Sequence, residues 1–301
     1  MNNPFSIGLD SKNPAKVVLG RAFASHTIQI HDASMHYVTG GSGPAIIFLH
    51  GFSQDWYEFR QVMSLLAERY KVIAVDLRGI GESKATRTDY DAETQANDIH
   101  ELTRKLAIKD PYIVAHDMGG MIGYVYARLY PSETRGVAIL DGPLPGTPST
   151  DLMVKLPFLW HFAFHRLPNL PERLIGGHIY TYFRRAFFLR FAKDKQAMTD
   201  LDMHHYAGAY ELPEQLRAGL GLYRTYRKNQ AFMKAHRDEL HVPILLLEGD
   251  YGSGKPGPTA KELTDEFGCH NVTAQVVVGC GHFMTDEQPH VIADLINNQA
   301  Q

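Results

Sequence analysis

No apolar run in the chain approaches the ~20 residues of a membrane-spanning helix, although 44% of its 301 residues are hydrophobic. There is no block of like charge either. Thirty basic side chains stand against 33 acidic ones, a formal net charge of −3, and no basic stripe is visible. Nucleic acid and anionic membrane surfaces are therefore not expected partners. Cysteine is scarce: Cys269 and Cys280 are the two present, and the strand candidate Val272–Val278 lies between them. A strand rises ~3.3 Å per residue, which sets the two sulfurs too far apart for a disulfide. Two free thiols agree with a reducing compartment. Met1 to Gly20 lack the positive start and apolar middle of a signal peptide, which points to a cytoplasmic location. A secreted or periplasmic protein would need a leader cut from this chain. Internal repeats and low-complexity tracts are also lacking.

What is present is alternation. Apolar strand candidates at Thr27–Ile30, Met35–Val38, Ala45–Leu49, Val72–Val75, Tyr112–Ala115, Val137–Leu140, Pro243–Leu247 and Val272–Val278 alternate with helical patterns near Trp56–Arg69, Ala92–Leu106, Gly120–Tyr130, Thr259–Phe267 and Pro289–Asn297. Two early strands followed by βαβ units, with nearly continuous apolar strands, predict an α/β fold: a mostly parallel eight-stranded sheet with helices on both faces. Right-handed crossovers gather the turns at the carboxyl ends of the strands. The alternation stops after Asp141, at the turn-forming Gly142-Pro143-Leu144-Pro145-Gly146-Thr147-Pro148, and resumes at Val242. Residues 142–233 read as a helical, aromatic-rich cap inserted into a core made of 1–141 and 234–301.

Four pieces at strand ends carry the chemistry. In Tyr112-Ile113-Val114-Ala115-His116-Asp117-Met118-Gly119-Gly120 a strand runs into a tight turn and a helix, with a carboxylate, Asp117, at the apex where this elbow often holds serine. A carboxylate attacks saturated electrophilic carbon and leaves an alkyl ester. His282, in Val278-Gly279-Cys280-Gly281-His282-Phe283, follows the last strand and can activate water against an ester if a carboxylate orients it. Two carboxylates are placed for that: Asp141, 24 residues after Asp117 (141 − 117) at the end of strand six, and Asp250 after strand seven. The commoner position for the acid falls on Gly252, which has no side chain; Asp141 is preferred and Asp250 held in reserve. His50-Gly51-Phe52 ends strand three, and the main-chain N–H groups of Phe52 and Met118 form an expected oxyanion hole. The turn Asp76-Leu77-Arg78-Gly79-Ile80-Gly81-Glu82-Ser83 closes strand four.

These pieces resemble the α/β-hydrolase epoxide hydrolases and their dehalogenase relatives over roughly residues 25–297. Epoxide hydrolases activate the ring oxygen with two acidic groups from the cap, usually tyrosines. Leu222-Tyr223-Arg224 matches the stretch that carries the second, nominating Tyr223, and Leu159-Trp160-His161-Phe162 places His161 at the first. A histidine–tyrosine pair is similar to the Cif branch, as are Ser53 in place of the usual proline and the acid-Gly-Pro-Leu-Pro stretch at Asp141. The chain departs from that branch at two positions: Cif proteins have glutamate at Asp141 and glycine at Ser53. The resemblance implies a catalytic set of Asp117, His282, Asp141, His161 and Tyr223. It also implies substrate contacts from Phe52, Met118, Trp160 and Phe162, a small-molecule epoxide as partner, a homodimer, and no cofactor or metal.

Each assignment has a plainer alternative. An aspartate at a strand–helix junction can be a simple cap, and Asp141 can cap its loop. His161 can be a core histidine, and Tyr206, Tyr210 and Tyr226 compete with Tyr223. His50 and His116 fit structural roles, with His116 alternatively lining the pocket behind the nucleophile. His204-His205 lack a third ligand for a metal. Tyr180, Tyr182, Phe183, Phe187, Phe188 and Phe191 are mostly cap packing, with a few left to line a cavity for an apolar epoxide. Gly249-Asp250-Tyr251-Gly252-Ser253-Gly254-Lys255 nearly spells a phosphate-binding loop, but Pro256 stands where Ser or Thr would hold magnesium. Two rival functions remain. Haloalkane dehalogenases need side-chain donors where this chain has Phe52 and Met118, and fluoroacetate dehalogenases need arginines where it has Met118 and Met121. A non-catalytic receptor on the same fold usually lacks a triad member, and none is missing here.

Overall fold

The computed structural model describes residues 3–10, 13–251 and 256–300. The three centre strands explain the architecture. β5 (Ala45–Leu49), β8 (Tyr112–His116) and β9 (Gly136–Leu140) are buried along their whole length. Strands apolar on both faces must be covered on both faces. Around them the sheet runs β11-β10-β9-β8-β5-β6-β4-β3, with β3 at Phe23–Ile30, β4 at Ala33–Gly40, β6 at Lys71–Val75, β10 at Ile244–Gly249 and β11 at Val272–Val277. From β6 to β11 every pairing is parallel; β3 and β4 are antiparallel.

The eight expected strands thus make the sheet's continuous path. A two-residue β7 (Lys84–Ala85) adds a ninth beside β4, and β1 (Ile7–Asp10) with β2 (Asn13–Leu19) forms a separate hairpin that the sequence did not signal. Pro14 weakens the strand pattern there. β11 differs from its expected character: it is an edge strand, largely exposed, and carries the polar Thr273 and Gln275.

The core helices are α1 (Arg60–Leu66), α2 (Ala92–Lys105) and α3 (Met118–Leu129), then α12 (Pro256–Glu266), α13 (Met284–Glu287) and α14 (Pro289–Gln299). The expected helix Trp56–Arg69 is split. A 3-10 turn at Trp56–Phe59, capped by Asp55 accepting from the Tyr57 N–H at 3.0 Å, precedes α1. Between β9 and β10 the described chain forms no strand. It runs through α4 (Pro148–Met153), α5 (Trp160–His165), α6 (Leu170–Ile175), α7 (Ile179–Phe183), α8 (Leu189–Phe191), α9 (Asp200–Gly208), α10 (Pro213–Arg224) and α11 (Tyr226–Ala235). No helix among the described residues is long and apolar enough to cross a membrane. Both cysteines are buried and free, as their spacing requires.

Candidate active site

The elbow is built by close packing. Asp117 sits between β8 and α3 at φ 46° and ψ −124°, a conformation costing an L-residue ~1–3 kcal/mol. Its N–H donates to the Leu140 carbonyl at 3.0 Å, which ties the apex to β9. The neighbouring glycines leave room for this. A Cβ on Gly51 would lie 2.4 Å from the Asp117 Cβ, and one on Gly119 would lie 2.5 Å from the Leu49 carbonyl oxygen. The Phe52 N–H donates to Asp117 Oδ2 at 2.8 Å. One carboxylate oxygen is therefore held at a main-chain donor, and the side chain lines a cavity of about 620 Å³. The N–H of Met118 opens α3, where helical donors have no partner within their own helix.

The last strand delivers His282 to the same cavity. Its Nδ1 lies 2.7 Å from Asp141 Oδ2, so with Nδ1–H donating to the carboxylate, Nε2 is left to accept a proton. Asp141 is fixed in turn by its N–H on the Leu247 carbonyl at 2.7 Å. Asp250, the other candidate acid, is occupied elsewhere: Lys193 Nζ lies 2.8 and 3.0 Å from its two oxygens.

His161 and Tyr223 line the same cavity, ring centroids 5.9 Å apart and nearly perpendicular. Neither side chain has a hydrogen-bond partner among the described residues. The competing tyrosines are all engaged. Tyr206 donates to Asp286 (3.1 Å), Tyr210 to the Gln54 carbonyl (2.7 Å) and Tyr226 to Asp151 (2.7 Å). Burial, with a smaller contribution from His282, pushes the His161 imidazole down to about 3. It is a neutral N–H donor at ordinary pH. Burial, then the charge of Asp117, pushes the Tyr223 hydroxyl up, so it keeps its proton.

Other expected residues fall as follows. Phe52 and Phe162 line the cavity, as do Phe187 and Phe191 from the aromatic run. Trp160 and Met118 do not. Trp160 is 40% exposed on the outer side of α5, while the Met118 side chain is buried away from the cavity wall. Adjacent helical residues point ~100° apart, so His161 turns inward as Trp160 turns out. His50 accepts from the Leu77 N–H at Nε2 (2.9 Å) and supports its own turn. His204 stacks on Tyr180 and His205 lies 3.0 Å from Asp55, so the two are not a metal pair. Gly252 and the rest of the phosphate-loop-like stretch to Lys255 lie outside the described residues.

The sequence reading missed several wall residues, among them Leu152, Met153 and Leu156 from the turn-rich start of the helical stretch. It also missed Glu248. This glutamate stands beside Asp141 in the sheet, where Leu247 pairs with Leu140. Burial, then the charge of Asp141, pushes its carboxyl up to about 8. A carboxylate closing the apolar run Ile244–Leu247 was the available signal. Among the described residues, no lysine or arginine lines the cavity. Away from it, the exposed Glu239, His241 and His270 bring their ligand atoms within 4.8 Å of one another at the amino ends of β10 and β11.

The α/β-hydrolase fold family matches residues 44–289. Over 275 residues the chain is 32% identical to the soluble epoxide hydrolase of Corynebacterium sp. (strain C12), covering 89% of this chain and 94% of that protein. It is 33% identical over 242 residues to the fluoroacetate dehalogenase of a Burkholderia species, covering 76% and 79%. The crystal structure of the Cif epoxide hydrolase from Acinetobacter nosocomialis matches with a TM-score of 0.83 at 26% identity, covering 93% of this chain and 90% of that one.

Proposed function

The chain belongs to the α/β-hydrolase family and, within it, to the Cif-like epoxide hydrolases; on that premise we propose that it opens an apolar epoxide to a vicinal diol through an ester on Asp117. The observation that carries this reading is a carboxylate and two unengaged neutral donors lining one apolar-walled cavity. Asp117 Oδ1 attacks an epoxide carbon while Oδ2 stays at the Phe52 N–H. His161 and Tyr223 hydrogen-bond the opening oxygen and offset the charge developing there. His282, oriented by Asp141, then takes a proton from water, and the hydroxide attacks the ester carbonyl, whose oxyanion rests on the Phe52 and Met118 N–H groups. The helices from 142 to 233 act as the cap that closes the cavity over the elbow.

Single-turnover hydrolysis in heavy-oxygen water tests the route. The label is expected in the Asp117 carboxylate and not in the first diol released; label going straight into the diol overturns the ester. Dehalogenation by the same aspartate is a second reading, favoured by the 33% identity to the fluoroacetate dehalogenase. A cavity wall with no cation among the described residues offers nothing to neutralise a substrate carboxylate, and this sets epoxide opening first. Halide release from fluoroacetate at rates matching epoxide opening would reverse the order.

His161→Tyr is expected to keep part of the activity, within about 10-fold of wild type, because a phenol also donates one hydrogen bond. Steady-state diol formation checks this, and complete inactivity of the folded variant would remove His161 from the role.

A further inference from the structure

The reaction scheme leaves a second histidine–carboxylate pair at the same site without a task. Glu58, on the 3-10 turn after the Phe52 loop, is wholly buried and places Oε2 2.7 Å from His116 Nδ1. The other ring nitrogen of His116, Nε2, lies 2.8 Å from the main-chain carbonyl oxygen of His282. A carboxylate and a carbonyl both accept hydrogen bonds. An imidazole that satisfies both donates from both nitrogens and is therefore an imidazolium. Burial opposes that charge, but the Glu58 carboxylate outweighs it and lifts His116 to about 9.

The pair spans the machinery. Glu58 follows the turn that carries Phe52, His116 precedes Asp117 on the elbow, and the acceptor is the backbone of His282 itself, whose ring centroid is 4.8 Å from that of His116. A buried ion pair is weak evidence of stabilisation, because desolvation consumes most of its attraction. Here Glu58 Oε1 is also buried with no hydrogen-bond partner among the described residues, a further cost to stability. Position is what the pair supplies.

We infer that Glu58 and His116 are positioning residues for the second half-reaction: Glu58 holds the His116 ring, and His116 clamps the His282 carbonyl so that Nε2 of His282 faces the water that attacks the ester. This rests on the ester route proposed above. Ester formation needs Asp117 and the two donors but not the aim of His282. Asp141 holds one nitrogen of the base, and a ring held at one nitrogen can still swing with its backbone. The His282 backbone also donates to the Phe191 carbonyl (3.0 Å) and accepts from the Met284 N–H (2.9 Å); the His116 contact (2.8 Å) is the one that fixes it relative to the elbow.

Rapid-quench measurement with styrene oxide, or another neutral epoxide that the wild-type enzyme opens, separates the two steps. His116→Asn can still face Glu58 but does not reach His282. It is expected to form the ester within about 3-fold of wild type and to hydrolyse it about 100-fold more slowly, the scale of an ångström-level misplacement. The Asp117 ester then dominates the intact-protein mass in the steady state. Glu58→Gln keeps the shape: His116 becomes neutral, accepts at Nδ1 from the amide and still donates to His282. Its hydrolysis is expected within about 3-fold of wild type.

A folded His116→Asn that hydrolyses the ester at the wild-type rate, or slows both steps alike, overturns the inference. If that variant does not fold, Glu58→Ala, which removes the support but leaves the ring, carries the same expectation. Ester accumulation in Glu58→Gln would show that the charge, and not the clamp, matters, and overturns it too. Absence of both ester and diol in the wild-type enzyme strikes the epoxide reading instead.

Discussion

His282→Gln is expected to turn the protein into a trap for its own substrate. Turnover falls by at least about 10³-fold, within the range for losing a positioned general base, while the first chemical step survives. The reason lies in the division of labour across the cavity. On the proposed route, Asp117, with Oδ2 at the Phe52 N–H, and the donors His161 and Tyr223 open the ring, and none of them deprotonates water against the resulting ester. Glutamine preserves bulk and leaves Asp141 a hydrogen-bonding neighbour, so the loop after β11 should keep its course. Intact-protein mass spectrometry after epoxide exposure should show a mass increase equal to one epoxide, and peptide mapping should place it on Asp117. An unmodified mass in a folded variant would remove the covalent intermediate.

What could be read from sequence, and what could not, divides by distance along the chain. The elbow is local. A buried strand, an apex carboxylate and two glycines lie within nine residues, Tyr112 to Gly120, and the structure shows why they must be small there. The central strands of the sheet path were legible for the same reason, since β5, β8 and β9 are continuous apolar runs. The acid was legible as a preference for Asp141 with Asp250 in reserve, because both follow strand ends. Only tertiary structure sends Lys193 to one and His282 to the other.

Tyr223 and its rivals make the same point. Leu222-Tyr223-Arg224 nominates Tyr223 by resemblance, and the structure adds that its hydroxyl alone among the four has no hydrogen-bond partner among the described residues. The Glu58–His116 pair joins residues 58 apart and has no local signature at all. Trp160 shows the converse error: a motif names neighbours together, and a helix then points them to different surroundings.

The mirror image of the His282 variant is the double replacement His161→Phe with Tyr223→Phe. Ester formation is expected to fall by about 10⁴-fold, each transition-state donor being worth roughly 10²–10³, and exposure to epoxide should leave the protein mass unchanged. Opening the ring places a developing alkoxide in a cavity walled on that side by Phe52, Phe162, Phe187 and Phe191. Without a donor, that charge meets apolar surface. Phenylalanine retains the aromatic volume at both positions, and no protein hydrogen bond is lost with either side chain among the described residues, so the fold should persist.

The single variants should each lose about half of the double's effect in logarithmic terms, about 10²-fold, at the lower end of the range for one donor. His161 is a neutral donor whose proton is not titrated above pH ~5, since burial holds its imidazole down to about 3. Its removal should therefore lower the rate without moving the acid side of the pH profile. An adduct on Asp117 forming in the double variant at near the wild-type rate would mean that the oxygen is protonated from elsewhere, and the histidine–tyrosine pair would lose its place in the reaction.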